Sequence, residues 1–263
     1  MKYSIKQIKE SLPQNKASKE PIWSRLFVRR LSYYITYLFI NTKITANVVS
    51  LFSALVALAG CLVMCINNWI CIWIGIILLN LWSVLDCVDG NIARCRKQTS
   101  LAGEFFDALS GYTVGAFCMM GFGVAAYNTT QFVPDEYKIY LIILSMAGGI
   151  CDIFGRLIYQ KYSNNMIKME YERIGESGVK TENDSFYSNG SNTLLKKISL
   201  FVDYEFGIGG DELLFLIIAA LFNIIDIFVL CYALYHIAGA VIIVFMYSKK
   251  MAAYEKQYLK KEL

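Results

Sequence analysis

Charged side chains are scarce in this sequence, and long stretches have none at all. Asp, Glu, Lys and Arg make up 17% of the 263 residues, whereas soluble domains average about 25%. No charged residue occurs at 44–85, 108–134, 213–225 or 227–248. Apolar runs that approach or exceed 20 residues are typical of helices that cross a lipid bilayer. The scarcity excludes a soluble globular enzyme or a disordered chain and indicates an all-α, polytopic membrane protein.

Other absences narrow the class further. The formal net charge is only +4, which is too small to indicate a nucleic-acid partner. The first 20 residues lack the apolar segment of a signal peptide. The eight cysteines lie mostly inside the apolar runs, so we expect buried, reduced thiols and no disulfide framework.

The apolar runs predict six membrane spans, at 46–66, 69–89, 101–127, 137–160, 206–223 and 227–247. Residues 23–40 mix arginines with bulky apolar and aromatic side chains, which predicts an amphipathic helix in the membrane interface. A merely charged segment before the first span is the alternative. We therefore expect an N-terminal segment at 1–43, a six-helix membrane domain at 44–250 with a polar loop at 161–203, and a tail at 251–263.

The basic residues predict the orientation of these spans. With six spans, 24 of the 25 Lys and Arg residues fall on one side of the membrane and only Lys138 falls on the other. Short loops rich in Lys and Arg stay in the cytoplasm. Both termini are therefore predicted to be cytoplasmic.

The stretch 85–111, LDCVDGNIARCRKQTSLAGEFFDALSG, carries the most informative pattern. Asp86 and Asp89 share one face of the second span, and Gly103 and Asp107 share one face of the third. These faces lie at the cytoplasmic ends of two spans that are neighbours in sequence. A helical hairpin can therefore bring the three carboxylates together.

The cost of burial indicates a function for these carboxylates. An Asp near the middle of a span costs roughly 2.5–3.5 kcal/mol to insert, and less near its end. Clustered carboxylates also repel one another, and a divalent cation relieves that repulsion. Ligands that are all oxygen favour Mg²⁺ or Mn²⁺ over Zn²⁺. Solvated carboxylates at helix ends are the alternative; they explain a single residue more easily than the whole spaced set.

Two further features of this stretch favour a phosphate-bearing nucleotide as the ligand. Small residues at Gly90, Ala93 and Gly103 allow a nucleotide to approach the backbone closely. Arg94 can pair with a phosphate group.

This pattern resembles the signature of the CDP-alcohol phosphotransferase family, D-x2-D-G-x2-A-R-x8-G-x3-D-x3-D. The matching residues, with every spacing kept, are Asp86, Asp89, Gly90, Ala93, Arg94, Gly103 and Asp107. Residues 44–47 are also similar to the start of the first span in that family. The resemblance covers roughly residues 23–250 and is weakest after the fourth span.

The resemblance implies an enzyme that displaces CMP from a CDP-linked donor by the hydroxyl of an acceptor alcohol, with a lipid as one of the partners. Asp86, Asp89 and Asp107 would hold the metal on the donor pyrophosphate, and Gly90 and Gly103 would pack near the cytidine together with Ala93. Members of this family are commonly homodimers. The implied partners are thus a CDP-linked donor, the lipid bilayer and a second copy of the chain.

The sequence departs from the signature at its last position, where the family has an Asp that serves as general base and this chain has Gly111. Another carboxylate can take over, with Asp211 as the first choice ahead of Asp152, Glu205 and Glu212. Alternatively, the acceptor needs no base, or the chain is a catalytically impaired member.

Arg156 is four residues after Asp152 on the fourth span, so the two can form an ion pair. The alternative role for Arg156 is binding of an acceptor or lipid phosphate. His236, the only histidine, is expected to be a packing residue.

We therefore expect a membrane phosphotransferase that uses a CDP-linked donor in the synthesis of phospholipids or envelope polymers. Its leading form is transfer of a phosphatidyl group from CDP-diacylglycerol to a small polar acceptor, and the alternative form is transfer of a headgroup phosphate from a soluble CDP-alcohol to a lipid. The rival from another class is a non-catalytic scaffold that binds nucleotide or lipid, which Gly111 favours. A transporter should show paired repeat halves, and none is visible in the sequence.

The predicted orientation can be tested by labelling single cysteines placed in a variant that lacks the native ones. A membrane-impermeant reagent added outside should label a cysteine near Thr130 and fail to label cysteines near Lys97, Asn183 or Lys256. The reverse pattern would contradict a cytoplasmic site.

Overall fold

The computed structural model describes residues 3–13, 20–177 and 211–261. Every regular element in these ranges is a helix, which confirms the all-α prediction. The helices are α1 (Ile5–Glu10), α2 (Arg29–Ile40, preceded by a π-helical turn at Ser24–Val28), α3 (Ala46–Met64), α4 (Trp69–Arg96), α5 (Leu101–Thr129), α6 (Ile139–Ser177), α7 (Glu212–Leu221) and α8 (Ile225–Lys261).

Five of the described helices are long and apolar enough to cross a membrane: α3, α4, α5 and the parts of α6 and α8 at Ile139–Met169 and Ile225–Glu255. The polytopic membrane class is therefore confirmed, and six spans is close to what the structure shows. The predicted fifth span, 206–223, corresponds to α7, while residues 206–210 lie outside the described residues. With ten residues, α7 is about 15 Å long, half of the ~30 Å hydrocarbon core.

Two helices continue past the predicted ends of their spans. α4 ends at Arg96 rather than at residue 89, and α6 continues to Ser177 although its span was predicted to end at residue 160. Residues 161–177 contain no proline and are rich in Lys, Met and Glu, which favour helix. The apolar pattern predicts only the part of a helix that lies in the membrane. The helix itself continues as far as the following residues favour helical structure.

Small residues bring α3 close to its neighbours. A β-carbon added at Gly75 of α4 would lie 2.7 Å from the carbonyl oxygen of Gly60 on α3, and one added at Gly121 of α5 would lie 3.1 Å from the carbonyl oxygen of Cys61. Backbones in membrane proteins approach one another closely where such small residues meet. The crossing fixes α3 against both α4 and α5.

Helix α2 packs lengthwise along α4. The indole nitrogen of Trp23, just before the π-helical turn, donates to Oδ1 of Asn80 at 2.9 Å. At the other end, Arg96 of α4 donates to the carbonyl oxygen of Ile40 at 2.8 Å. Trp23 comes before Ile40 in the chain, and their partners on α4, Asn80 and Arg96, occur in the same order. The two helices therefore run in the same direction.

A buried polar contact joins the middle of α2 to the C-terminal part of α4. The side-chain amide of Asn91 on α4 donates to Ser32 at 3.3 Å and to Thr36 at 3.1 Å, and all three side chains are buried. Buried polar groups of this kind fix a helix in one register. The predicted helix at 23–40 is therefore present and docked on α4, while its position in the membrane interface stays a prediction.

Helices α2 and α7 begin next to each other beside α4. The backbone N–H of Trp23 donates to Oδ1 of Asp211 at 2.7 Å, and Asp211 directly precedes α7. α7 runs away from α2. Shortly after α7 the chain reaches Asp226, which accepts a 2.5 Å bond from Thr130. Thr130 lies at the C-terminal end of α5, which is the end far from the connection between α4 and α5. The two short helices thus lie end to end along α4.

Candidate functional site

The candidate site lies where α4 and α5 are joined by residues 97–100. α4 ends at Arg96, and the next residue, Lys97, adopts the left-handed conformation with φ 53°. Ser100 begins α5 by accepting a hydrogen bond from the backbone N–H of Gly103 at 3.1 Å. We call this part of the molecule the 97–100 end.

This hairpin brings the three predicted metal ligands together. Asp86 and Asp89 project from α4 and Asp107 projects from α5, and one carboxylate oxygen of each lies within 4.8 Å of the others. Three carboxylates at this separation repel one another strongly unless a cation neutralises them. An all-oxygen donor set of this kind fits a hard divalent cation such as Mg²⁺ or Mn²⁺.

The three carboxylates differ in their surroundings. Asp89 is only 5% exposed, Asp86 is half-buried and Asp107 is exposed. Ser50 of α3 donates a 2.5 Å hydrogen bond to Oδ2 of Asp89, which orients that carboxylate toward the cluster. Nothing in the sequence distinguishes Ser50, which is a common residue 39 positions away from Asp89.

A polar cavity of about 340 Å³ opens onto this cluster. Every residue predicted to bind metal or nucleotide lines it: Asp86, Asp89, Gly90, Ala93, Arg94, Gly103 and Asp107. Arg29, Asn47 and Ser50 are among the further lining residues, which the sequence does not assign to the site. We call this space the carboxylate cavity.

Gly90 and Arg94 depend on each other within the carboxylate cavity. A β-carbon added at Gly90 would lie 3.1 Å from Nη1 of Arg94, so that the guanidinium lies across the glycine. Nη2 of Arg94 donates to Oδ1 of Asn91 at 2.7 Å. The arginine is thereby held beside the carboxylates, where it can bind a phosphate group.

Arg29 of α2 adds a second guanidinium to the cavity. Its Nε donates to Oε2 of Glu20 at 3.2 Å, and its Nη2 also bonds to that carboxylate. Burial opposes the charge, but Cys87 and the Glu20 carboxylate raise the pKa of Arg29 above its ordinary value, so that the guanidinium stays protonated. The sequence shows Arg29 only as one of several arginines in an amphipathic segment.

Gly111 lies one helical turn beyond Asp107 on α5, next to open space. A β-carbon added there would meet nothing within 4 Å among the described residues. One turn further along α5, a β-carbon at Gly115 would lie 3.0 Å from Oδ2 of Asp152. Space for the missing side chain is therefore present, and the carboxylate of Asp152 lies near that space.

Asp152 belongs to a polar cluster between α6 and α8. Its Oδ2 accepts a 2.8 Å bond from Nε of Arg156, and its Oδ1 lies 3.6 Å from Nδ1 of the buried His236. All three residues line a second cavity of about 530 Å³, whose wall also includes Tyr112 of α5. The structure thus contains the predicted Asp152–Arg156 pair and places His236 against it.

The other candidates for a substitute base lie elsewhere. Asp211 is buried and accepts the hydrogen bond from the backbone of Trp23, and it lines neither cavity. Glu212 is also buried, and its Oε1 has no hydrogen-bond partner among the described residues. Glu205 falls outside the described residues. The geometry therefore favours Asp152 over Asp211, which the sequence analysis ranked first.

The comparison with protein families agrees with this site. Residues 43–172 match the family model of the CDP-alcohol phosphatidyltransferases. This part of the chain, just under half of its length, is thus similar to the CDP-alcohol phosphatidyltransferases, in agreement with the signature residues. The family consists of transferases that move a phosphatidyl or phosphoalcohol group with release of CMP and use divalent metals through an Asp-rich motif. No curated protein matches the sequence.

The carboxylate cluster predicts a measurable metal site. Asp89→Asn should weaken Mn²⁺ binding by at least about tenfold, equivalent to ~1.4 kcal/mol, because it removes one of three charges that face the ion. Electron paramagnetic resonance of free Mn²⁺ measures this directly. Asp135→Asn is the matched control, since Asp135 is exposed and pairs with Lys138. Equal Mn²⁺ affinity in wild type and Asp89→Asn would contradict the metal assignment.

Proposed function

We propose that this protein is a membrane-embedded phosphotransferase that moves the phosphatidyl group of CDP-diacylglycerol to a small polar acceptor and releases CMP. One observation carries the proposal: the carboxylates of Asp86, Asp89 and Asp107 share a cavity with Arg94 and with glycines that leave room for a nucleotide. The family supports the transfer class, and the choice of donor and acceptor is our proposal.

The residues of the carboxylate cavity have distinct roles in this reaction. Asp86, Asp89 and Asp107 would hold Mg²⁺ or Mn²⁺, and Ser50 keeps Asp89 aimed at the ion. When bound, the ion supplies Lewis-acid stabilisation of charge on the pyrophosphate. Arg94 adds a positive charge on the same wall.

The second cavity is our candidate for the acceptor site. Arg156 is partly exposed in its wall, and Asp152 binds its Nε. Among the described residues no bond from its terminal nitrogens is present, and we propose that they bind an acceptor or lipid phosphate. Tyr112 joins this wall to α5 directly after Gly111. An acceptor bound here would be near the open space beside Gly111.

The excess of basic residues at the 97–100 end supports a cytoplasmic site, where CDP-linked donors are made and CMP is recycled. The family resemblance supports a homodimer. Both remain proposals about this chain.

Release of CMP tests the proposed function. Purified protein in detergent–lipid micelles with Mg²⁺ should release CMP from CDP-diacylglycerol when a panel of small polyols, their phosphates and serine is supplied. Asp86→Asn or chelation should abolish the release, because the remaining charges cannot hold the ion on the pyrophosphate. CMP release only from soluble CDP-alcohols in the presence of diacylglycerol would instead support headgroup transfer to lipid.

A second function, binding without catalysis, is favoured by Gly111, which can neither accept a proton nor bind metal through a side chain. The geometry offers an alternative in Asp152. Its Oδ2 lies against Gly115, about 6 Å along the helix from Gly111. We propose that Asp152 accepts the proton of the acceptor hydroxyl in place of the missing Asp.

The substitute base can be tested in an active preparation. Asp152→Asn should lower CMP release by about 10²–10⁴-fold, the usual contribution of general base catalysis, while binding of CDP-diacylglycerol is kept. Asp211→Asn is the matched control, because its amide oxygen can still accept the hydrogen bond from Trp23. Full activity of Asp152→Asn would contradict a role for Asp152 as the base and would favour an acceptor that needs no general base. Activity that arises only after Gly111→Asp, which the open space accommodates, would support binding without catalysis.

A further inference from the structure

Helix α2 supplies a wall of the carboxylate cavity from outside the family-matched residues 43–172. Its contacts with α4 fix the register, since Trp23 lies beside Asn80 and Ile40 lies beside Arg96. Arg29 is six residues beyond Trp23, just as Asp86 is six residues beyond Asn80. Arg29 is therefore level with Asp86, and both residues line the cavity.

The charge on Arg29 is unusual for a residue that serves only to dock a helix. Its side chain is buried, with 7% of the residue exposed, and burying an ion pair generally costs as much as the pair returns. Glu20 takes the bonds of Nε and Nη2. Nη1 has no acceptor among the described residues, although Arg29 is part of the cavity wall.

Arg29 and Arg94 lie at different levels of the same cavity. The guanidinium of Arg94 lies across Gly90, which is one turn of α4, about 6 Å, beyond the level of Asp86 and Arg29. Two cations spaced by one helical turn, facing three carboxylates, suit a ligand with two adjacent phosphates and a bound cation. One phosphate alone would engage only one of the arginines.

We propose that Arg29 binds the transferred phosphate of the CDP-linked donor, the one that carries the alcohol, while Arg94 binds the phosphate next to the cytidine. This inference rests on the proposed function. It makes α2 a specificity-determining element that distinguishes the diphosphate donor from the monophosphate product CMP. Glu20 acts as a positioning residue, because it fixes the direction of the Arg29 fork.

Comparison of two ligands tests the inference. With Mg²⁺ present, Arg29→Gln should weaken binding of CDP-diacylglycerol by about 10–100-fold, the range expected for a charged hydrogen bond. Binding of CMP should change by less than about threefold. Isothermal titration in micelles of one composition measures both. Arg30→Gln is the matched control, since Arg30 is the neighbouring exposed arginine and should leave both affinities unchanged.

A second variant guards against a folding defect. Arg29→Gln leaves Glu20 buried without its partner, so Glu20→Gln/Arg29→Gln removes both charges and retains a polar pair. This double variant should melt close to the wild-type temperature and show the same selective loss for CDP-diacylglycerol.

The possible results separate the two proposals. A wild-type protein that fails to bind CDP-diacylglycerol with Mg²⁺ overturns the proposed function, and this inference with it. Wild-type binding with an equal loss of CMP and donor affinity in the double variant, or with no loss, overturns the inference about Arg29 alone.

Discussion

The mutual repulsion of Asp86, Asp89 and Asp107 is the constraint around which the rest of the site is arranged. Three carboxylates with oxygens within 4.8 Å of one another are stable between membrane helices only if other groups compensate their charge. The hydroxyl of Ser50 compensates part of it by a direct bond to Asp89. The remaining charge favours a divalent cation, and the two arginines that line the same cavity, Arg29 and Arg94, favour the anion that such a cation accompanies.

Polar contacts also determine how the wall of the site is assembled. Asn91 is the central residue, because its amide nitrogen binds α2 and its amide oxygen accepts from Arg94. One side chain therefore connects the docking of a helix to the orientation of a guanidinium in the cavity wall. Loss of either contact would leave part of the buried amide of Asn91 without a partner, which links the docking of α2 to the shape of the cavity.

The sequence predicted the parts of the site that depend on short-range spacing. Asp86, Asp89 and Asp107 lie on two helices joined by a four-residue connection, so helical periodicity alone places their side chains on facing surfaces. Long apolar runs likewise marked the long helices. These features depend only on residues that are close together in the sequence, so the local sequence pattern is enough to predict them.

The sequence could not predict the contributions that cross long distances along the chain. Ser50 and Arg29 reach the cavity through the packing of α3 and α2 on α4, and nothing in their own neighbourhoods distinguishes them from other serines and arginines. Asp211 was the leading candidate for the missing base because glycines precede it, yet its carboxylate binds the backbone of Trp23. Competition between a backbone donor and a substrate for one carboxylate is decided by tertiary structure.

The contact between Trp23 and Asp211 also bears on how the protein is made. These residues are separated by 188 positions, so the two short helices that meet beside Asn80 are synthesised near opposite ends of the chain. Every residue that lines the carboxylate cavity lies between Arg29 and Asp107, so the ribosome has made all of them well before it reaches Asp211. The contact at Trp23 is therefore added to a helix whose cavity residues are already in the chain.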